Sequence, residues 1–282
     1  HVGDDARRLQ ASTAVIGRLR AGDPGYGVAA GQHAFALEEV GRYEEAERFG
    51  RLALEVDAAD VWALHALAHV YEMQGRHLEA VEHLRSTRAD WEERDHLALH
   101  LLWHLSLRLI AAGEFDECLA IFHEQIDDAD RAFGLTDLTS MLWRLELAGC
   151  DVMDLWPLLS GRWRDHDQLH TTAFLDVHAA LAFASCPDDP GARRFWSGLD
   201  ACHRSAASEN DETFDLVVRP VAVAIRAYRA GRYGEVVGGI DQLSELVHRL
   251  GGSIVQRDLF TMTAREAVRR SDLHQPAEGV GP

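Results

Sequence analysis

The stretches LEEVGRYEEAERFGRLAL (37–54) and YEMQGRHLEAVEHLRSTR (71–88) decide how this chain folds. Laid over one another, they align Gly41 with Gly75, Arg42 with Arg76 and Ala46 with Ala80, an offset of 34 residues (75 − 41). Each reads as the end of one helix, a left-handed glycine stop, and the start of a second helix. The same Gly-then-acidic/aromatic turn returns at Gly113, Gly149 and Gly231. Strand signals are nearly absent, and helical periodicity runs through the rest. A helix pair of this size cannot bury its apolar face alone, so neighbouring pairs must stack.

The 34-residue period is that of tetratricopeptide repeats. The expected fold is all-α: a tetratricopeptide-like α-solenoid of about six helix pairs, formed by residues 1–270 as a single domain and closed by a C-terminal capping helix at about 256–270. An N-terminal helix at about 6–20 caps or begins the first pair. The spacing lengthens to 38 (113 − 75) and 36 (149 − 113), and the gap of 82 (231 − 149) leaves room for an irregular repeat around 176–184. Ala34, Ala46, Ala53, Ala68 and Ala80 sit where paired helices approach closely. Residues 271–282 read as a polar, disordered tail.

Composition narrows the function. The chain has 282 residues, 47% of them hydrophobic, and a formal net charge of −18. Such an acidic surface argues against nucleic acid and against anionic membranes. All 28 basic residues are arginine. With no lysine there is no Walker-type phosphate lysine and no Schiff-base lysine, so neither a nucleotide cofactor nor pyridoxal phosphate (PLP) is expected. Arginine-only usage fits a GC-rich, bacterial genome. Cys118, Cys150, Cys186 and Cys202 form no C-x-x-C pair and read as small buried thiols of a reducing, cytoplasmic compartment. No apolar run is long enough to span a membrane, and residues 1–20 are too charged for a secretory leader.

The chemistry concentrates in two His-x-x-x-His pairs: His65/His69 in WALHALAHVYEM (62–73) and His100/His104 in HLALHLLWHLSL (96–107). Residues four apart share a helix face. In tetratricopeptide arrays the first helix of each pair lines the concave wall, at about positions 2, 5, 6, 9, 12 and 13. With each turn glycine as position 15, His65, His69 and Glu72 fall on that wall, as do His100, Trp103 and His104. Phe35, Glu38, Glu39, Thr136, Thr139, Ser140, Trp143 and Glu146 join them. Asp137 and Arg144 lie at its edge, and His33 lies nearer the packing side. Asp176 and His178, in HTTAFLDVHAALAFA (170–184), are two apart and do not share a face.

Three readings follow. Paired imidazoles at i, i+4 are a common way to hold zinc or another divalent ion, so His65, His69, His100 and His104 form a candidate site for zinc or iron. The strong His-Glu-x-x-His form is missing, because Ala66, Leu67 and Ala68 separate His65 from His69. In the second reading, His69 or His104 acts as a metal-free base, with Asp137 or Asp176 setting its basicity. In the third, the groove binds a small molecule or short peptide, and a basic or aromatic partner fits its His/Glu/Trp wall better than a carboxylate terminus does. Each histidine could instead satisfy a neighbouring helix, which leaves a protein-interaction scaffold as the alternative function.

The segments HAFALEEVGRYEEAE (33–47), WALHALAHVYEMQGR (62–76), LLWHLSL (101–107), LTSMLWRLELAG (138–149), FLDVHAALAFA (174–184) and LGGSIVQRDLF (250–260) resemble, in order, the tetratricopeptide repeat protein 38 family. The resemblance implies an all-helical, soluble, cytoplasmic protein. It also implies that His33, His65, His69, Trp103, His104, Arg144, Asp176, His178, Gln256, Arg257 and Asp258 fall in family motifs. The family pattern carries a histidine two residues before its Gln-Arg-Asp run, where this chain has Ile254. The family carries no agreed activity. The resulting expectation is a concave pocket walled by the four histidines, with Glu38, Glu72, Asp137, Asp176 and His178 as partners. Trp103 and Trp143 face the ligand, Arg144 or Arg257 holds an anionic group, and Arg257 with Asp258 closes one end.

Overall fold

The computed structural model describes residues 4–92, 96–129, 134–166, 169–201, 212–241 and 246–274. Cys202 and residues 275–282 of the expected tail lie outside them. Among the described residues every regular element is helical and no strand occurs. None of these helices is long and apolar enough to cross a membrane. The chain divides into two units, Gly3–Met141 and Leu142–Pro282.

The first unit runs through α1 (Asp5–Ile16), α2 (Tyr26–Glu38), α3 (Tyr43–Val56), α4 (Val61–Met73), α5 (His77–Trp91), α6 (His96–Ala112) and α7 (Phe115–Gln125) into the first part of α8 (Gly134–Leu147). The expected N-terminal helix therefore ends at Ile16, short of residue 20. The turn chemistry is the one the glycines announce. After α2, Gly41 takes φ 77° and the Arg42 N–H reaches back to the Leu37 carbonyl at 2.9 Å. After α4, Gly75 takes φ 68° and Arg76 reaches Tyr71 at 2.8 Å. These are Schellman closures, which satisfy carbonyls that a helix end would otherwise orphan. The bonds Glu114 to Leu109, Cys150 to Leu145 and Arg232 to Ala227 repeat them. The paired Arg-x-x-Glu clamps Arg42–Glu45 and Arg76–Glu79 follow the first two turns, each at 2.7 Å.

A Cβ added at Gly75 would touch nothing within 4 Å, so substitution there has a purely conformational cost. Gly75→Ala is expected to lower stability in urea unfolding by about 1 kcal/mol. Gly75→Asn should lose less, because asparagine tolerates the left-handed region.

Ala34, Ala46, Ala53, Ala68 and Ala80 are all buried and let the helices approach closely. Leu37, Ala46, Leu67, Val70, Tyr71 and Ala80 form one core cluster across α2 to α5. Helix α4 starts where the Asp60 carboxylate caps the N–H groups of Trp62 and Ala63, an N-cap that satisfies orphan donors. It is buried continuously from Ala63 to Tyr71. A helix buried all round is a central one, so its polar residues His65 and His69 have no solvent to turn to.

The second unit contains the rest of α8, then α9 (Trp156–Asp165), α10 (Ala173–Ser185), α11 (Pro190–Ala201), a π-turn at Phe214–Val218 leading into α12 (Arg219–Arg229), α13 (Tyr233–Asp241) and α14 (Ile254–His274). Helix α10 plays the central part here, buried from Asp176 to Ala184. Helix α14 occupies the place of the expected capping helix and runs beyond Arg270 to His274, into the segment expected as tail.

Candidate functional site

Helices α4 and α6 bring their histidine pairs together inside the first unit. His65, His69, His100 and His104 are 4%, 0%, 4% and 2% exposed. One ring nitrogen from each lies within 4.8 Å of the others. Ring centroids are 4.5 Å apart for His65–His69 and His69–His104, 4.7 Å for His100–His104, and 5.0 Å for His65–His100 and His65–His104. The Nε2 atoms of His65 and His69 are 3.0 Å apart. Neither ring nitrogen of His104 has a hydrogen-bond partner. Buried polar atoms normally find one.

Carboxylates stand behind two of the rings. Asp137, from the first turn of α8, holds His100 Nδ1 at 2.8 Å, and Glu38, at the end of α2, is 3.3 Å from His69 Nδ1. In both cases Nδ1 is engaged from outside. A carboxylate behind a histidine is the usual way to fix the tautomer and orientation of a metal ligand. Aromatic rings complete the shell: Trp103 stacks on His100 at 5.0 Å and Phe35 on His65 at 4.9 Å.

The electrostatics divide the four. Burial, helped by the neighbouring histidines, holds His65 and His104 well below the ordinary imidazole pKa. Their neutral form is the one that ligates metal. For His69 burial works the same way, but Glu38, Glu39 and Glu72 outweigh it and the pKa is raised. Glu39, buried beside Glu38, is pushed up to about 7 by burial, against the opposing pull of His69 and Arg8.

A tetrahedral ion with metal–nitrogen bonds of the usual length needs nitrogens about 3.3 Å apart. The 3.0 Å His65–His69 separation is close to that, and one nitrogen from each of the four rings lies within 4.8 Å of the others. The residues present fit a closed, all-nitrogen, four-coordinate centre.

Of the other expected site residues, Glu72 ion-pairs with Arg108, which also contacts His77. His33 meets the Ser12 hydroxyl at 2.9 Å. Trp143, Arg144, Asp176, His178, Arg257 and Asp258 belong to the second unit, where several have structural duties. Trp143 is buried, and its indole N–H donates to Thr263 Oγ1 at 2.9 Å. The Arg144 guanidinium, expected to hold an anion, donates to the Val255 carbonyl at 2.8 Å. Asp176 accepts the backbone N–H of His170, a left-handed residue at φ 64°, at 2.8 Å. His178 donates from Nδ1 to the Phe174 carbonyl at 2.8 Å, and burial pushes its pKa down to about 4. Arg257 fastens the Gly251 and Gly252 carbonyls, and Asp258 is exposed.

Sequence reasoning named neither Arg8 nor Arg108, and it placed Phe35 on the concave wall without a role. Arg108 had a signal, lying four residues after His104 on the same face. Arg8 had none, because it reaches Glu39 from α1, outside the repeat. Arg8, Ser12, Ala29, Gln32, Phe35 and Trp62 line a pocket of about 320 Å³ in this unit. Its Phe35 wall is the ring stacked on His65. The chain as a whole matches no protein-family model.

Proposed function

We propose that this chain is a helical-repeat metalloprotein, in which His65, His69, His100 and His104 hold a divalent transition metal. The metal would fix one wall of a pocket that binds a small molecule or short peptide. The observation that carries this reading is the meeting of four buried imidazoles whose ring nitrogens lie within 4.8 Å. Two of the rings are backed by carboxylates. Imidazoles buried in a core are otherwise costly, because His65, His69 and His104 each have a ring nitrogen without a hydrogen-bond partner.

The donor set selects the metal class. Imidazole suits zinc, iron, copper and nickel, and a four-coordinate nitrogen site without thiolate favours zinc. The pocket walled by Phe35 and Trp62 supplies an aromatic surface for a ligand beside the centre. Burial of the four rings favours this reading over an open docking groove for another protein. The 34-residue period and the repeated glycine closures support a tetratricopeptide-like solenoid, and the motif resemblance to the tetratricopeptide repeat protein 38 family accords with it. The scattered cysteines Cys118, Cys150 and Cys186, with no C-x-x-C pair, fit a reducing, cytoplasmic setting.

Cobalt(II) titration of metal-free protein tests the centre. The first equivalent is expected to give the intense visible absorption of four-coordinate cobalt. A His65→Ala/His69→Ala double variant, folded by circular dichroism, should not give it. Asp137→Asn should keep the spectrum but weaken affinity by roughly 10–100-fold, the usual cost of losing a carboxylate behind a ligating histidine. Wild-type protein that takes up neither cobalt, zinc, iron nor copper would refute the centre.

A further inference from the structure

The geometry points to a second divalent-cation site formed by Glu38, Glu39 and His69, adjoining the four-histidine centre and joined to it through the His69 ring. The bridge rests on the four-histidine reading; the carboxylate ligands do not involve His65, His100 or His104.

All three residues are buried, and one ligand atom from each lies within 4.8 Å of the others. Exposed acidic clusters are common and signify little. Here the carboxylates are buried. Neither Glu38 oxygen has a hydrogen-bond partner, and Glu39 Oε1 has none. The approach to Glu38 is the 3.3 Å contact from His69 Nδ1, and Glu39 Oε2 is 3.7 Å from Arg8. An ionised carboxylate offers about four lone-pair directions, and burying it with so few of them answered is strongly unfavourable. A cation between Glu38 and Glu39 would answer them.

His69 is placed to serve both sites. Its Nε2 faces His65 Nε2 at 3.0 Å, while Nδ1, on the opposite side of the ring, faces Glu38. Loading both cations would release the ring N–H proton to solvent. The carboxylates of Glu38, Glu39 and Asp137, together with the deprotonated His69 ring, would then balance two divalent charges among buried residues.

The two sites differ in coordination. Four imidazoles saturate the first. Two carboxylates and one imidazole leave positions open at the second, as in sites that bind an exchangeable ligand or water. Two residues that line the pocket of about 320 Å³ also neighbour this site: Arg8 lies 3.7 Å from Glu39, and the Phe35 ring lies 5.3 Å from that of His69. Mixed oxygen and nitrogen donors suit zinc, manganese or iron(II).

Metal-free full-length protein is loaded with excess zinc, passed through a desalting column and analysed by mass spectrometry for metal. Two zinc ions per chain are expected in the wild type and one in Glu38→Gln/Glu39→Gln. One ion per chain in both proteins would overturn the second site while leaving the four-histidine centre intact, and none in the wild type would overturn both. Should the double variant fail to fold, copper(II) titration of the wild type decides alone. A second equivalent is expected to lower the total electron paramagnetic resonance signal below twice that of the first, through coupling across the shared ring. Additive signals, or no second equivalent bound, would overturn the bridged site.

Discussion

Protein stripped of metal with a chelator and dialysed is expected to melt roughly 10 °C below the same protein reconstituted with zinc. The expectation follows from what the four-histidine centre leaves undone without an ion. His104 has two buried ring nitrogens without partners, and the His65 Nδ1 has none, while burial keeps both rings neutral. A ligand that binds only the folded state stabilises it by about 4 kcal/mol when present at a thousandfold excess over its dissociation constant. For a unit of this size, each kcal/mol moves the midpoint by roughly 2–4 °C. Differential scanning calorimetry of apo and zinc-loaded protein, at fixed protein concentration, measures the shift. The His65→Ala/His69→Ala variant should melt at one temperature with or without zinc. Equal midpoints for apo and zinc-loaded wild type would sink the metal reading, since an ion that does not distinguish folded from unfolded chain cannot be seated in this core.

Part of this was legible before any coordinates. The turn glycines are local chemistry: Gly41 and Gly75 need left-handed backbone whatever surrounds them, so an offset of 34 placed the helix ends. The i, i+4 spacing put His65 with His69 and His100 with His104 on common faces, and repeat position brought Glu38 and Asp137 near them. Repeat position failed where the cover of a face comes from far along the chain. Trp143 and Arg144 occupy wall-like positions, yet α14 provides their partners, with Thr263 lying 120 residues from Trp143 and Val255 lying 111 from Arg144. Nothing in the segment around Trp143 announces that α14 will lie against it. Asp176 shows a different kind of use: its Oδ1 accepts from a loop residue six positions earlier, a local contact that leaves no periodic trace. The Glu38–Glu39 pair was visible as a pair, but the Arg8 that lies 3.7 Å from Glu39 comes from α1, which follows no repeat.

Acid is expected to destabilise the wild type by about 3 kcal/mol more than a His178→Gln variant between pH 7 and pH 4. His178 sits in α10 with its Nδ1–H bonded to the Phe174 carbonyl, its ring against Phe174 at 4.4 Å and near Phe260 at 6.2 Å. Burial, with Arg144 adding to it, lowers the pKa from 6.5 to about 4. In the folded protein the ring therefore stays neutral where the unfolded chain has already taken up a proton. Between those two values the unfolded state binds more protons, so stability rises with pH across that window. Stability is fully present above pH 6.5, falls as pH drops below it, and is lost by about pH 4. A separation of about 2.5 pKa units corresponds to about 3 kcal/mol. Glutamine is neutral throughout and keeps a donor for the Phe174 carbonyl, so the variant should lack this contribution while sharing every other acid-sensitive group. Urea unfolding of both proteins, with chelator present so that metal loss does not enter, gives the difference at each pH. Parallel stability curves from pH 7 to pH 4 would mean that the His178 ring is protonated in the folded state, with a water or carboxylate beside it.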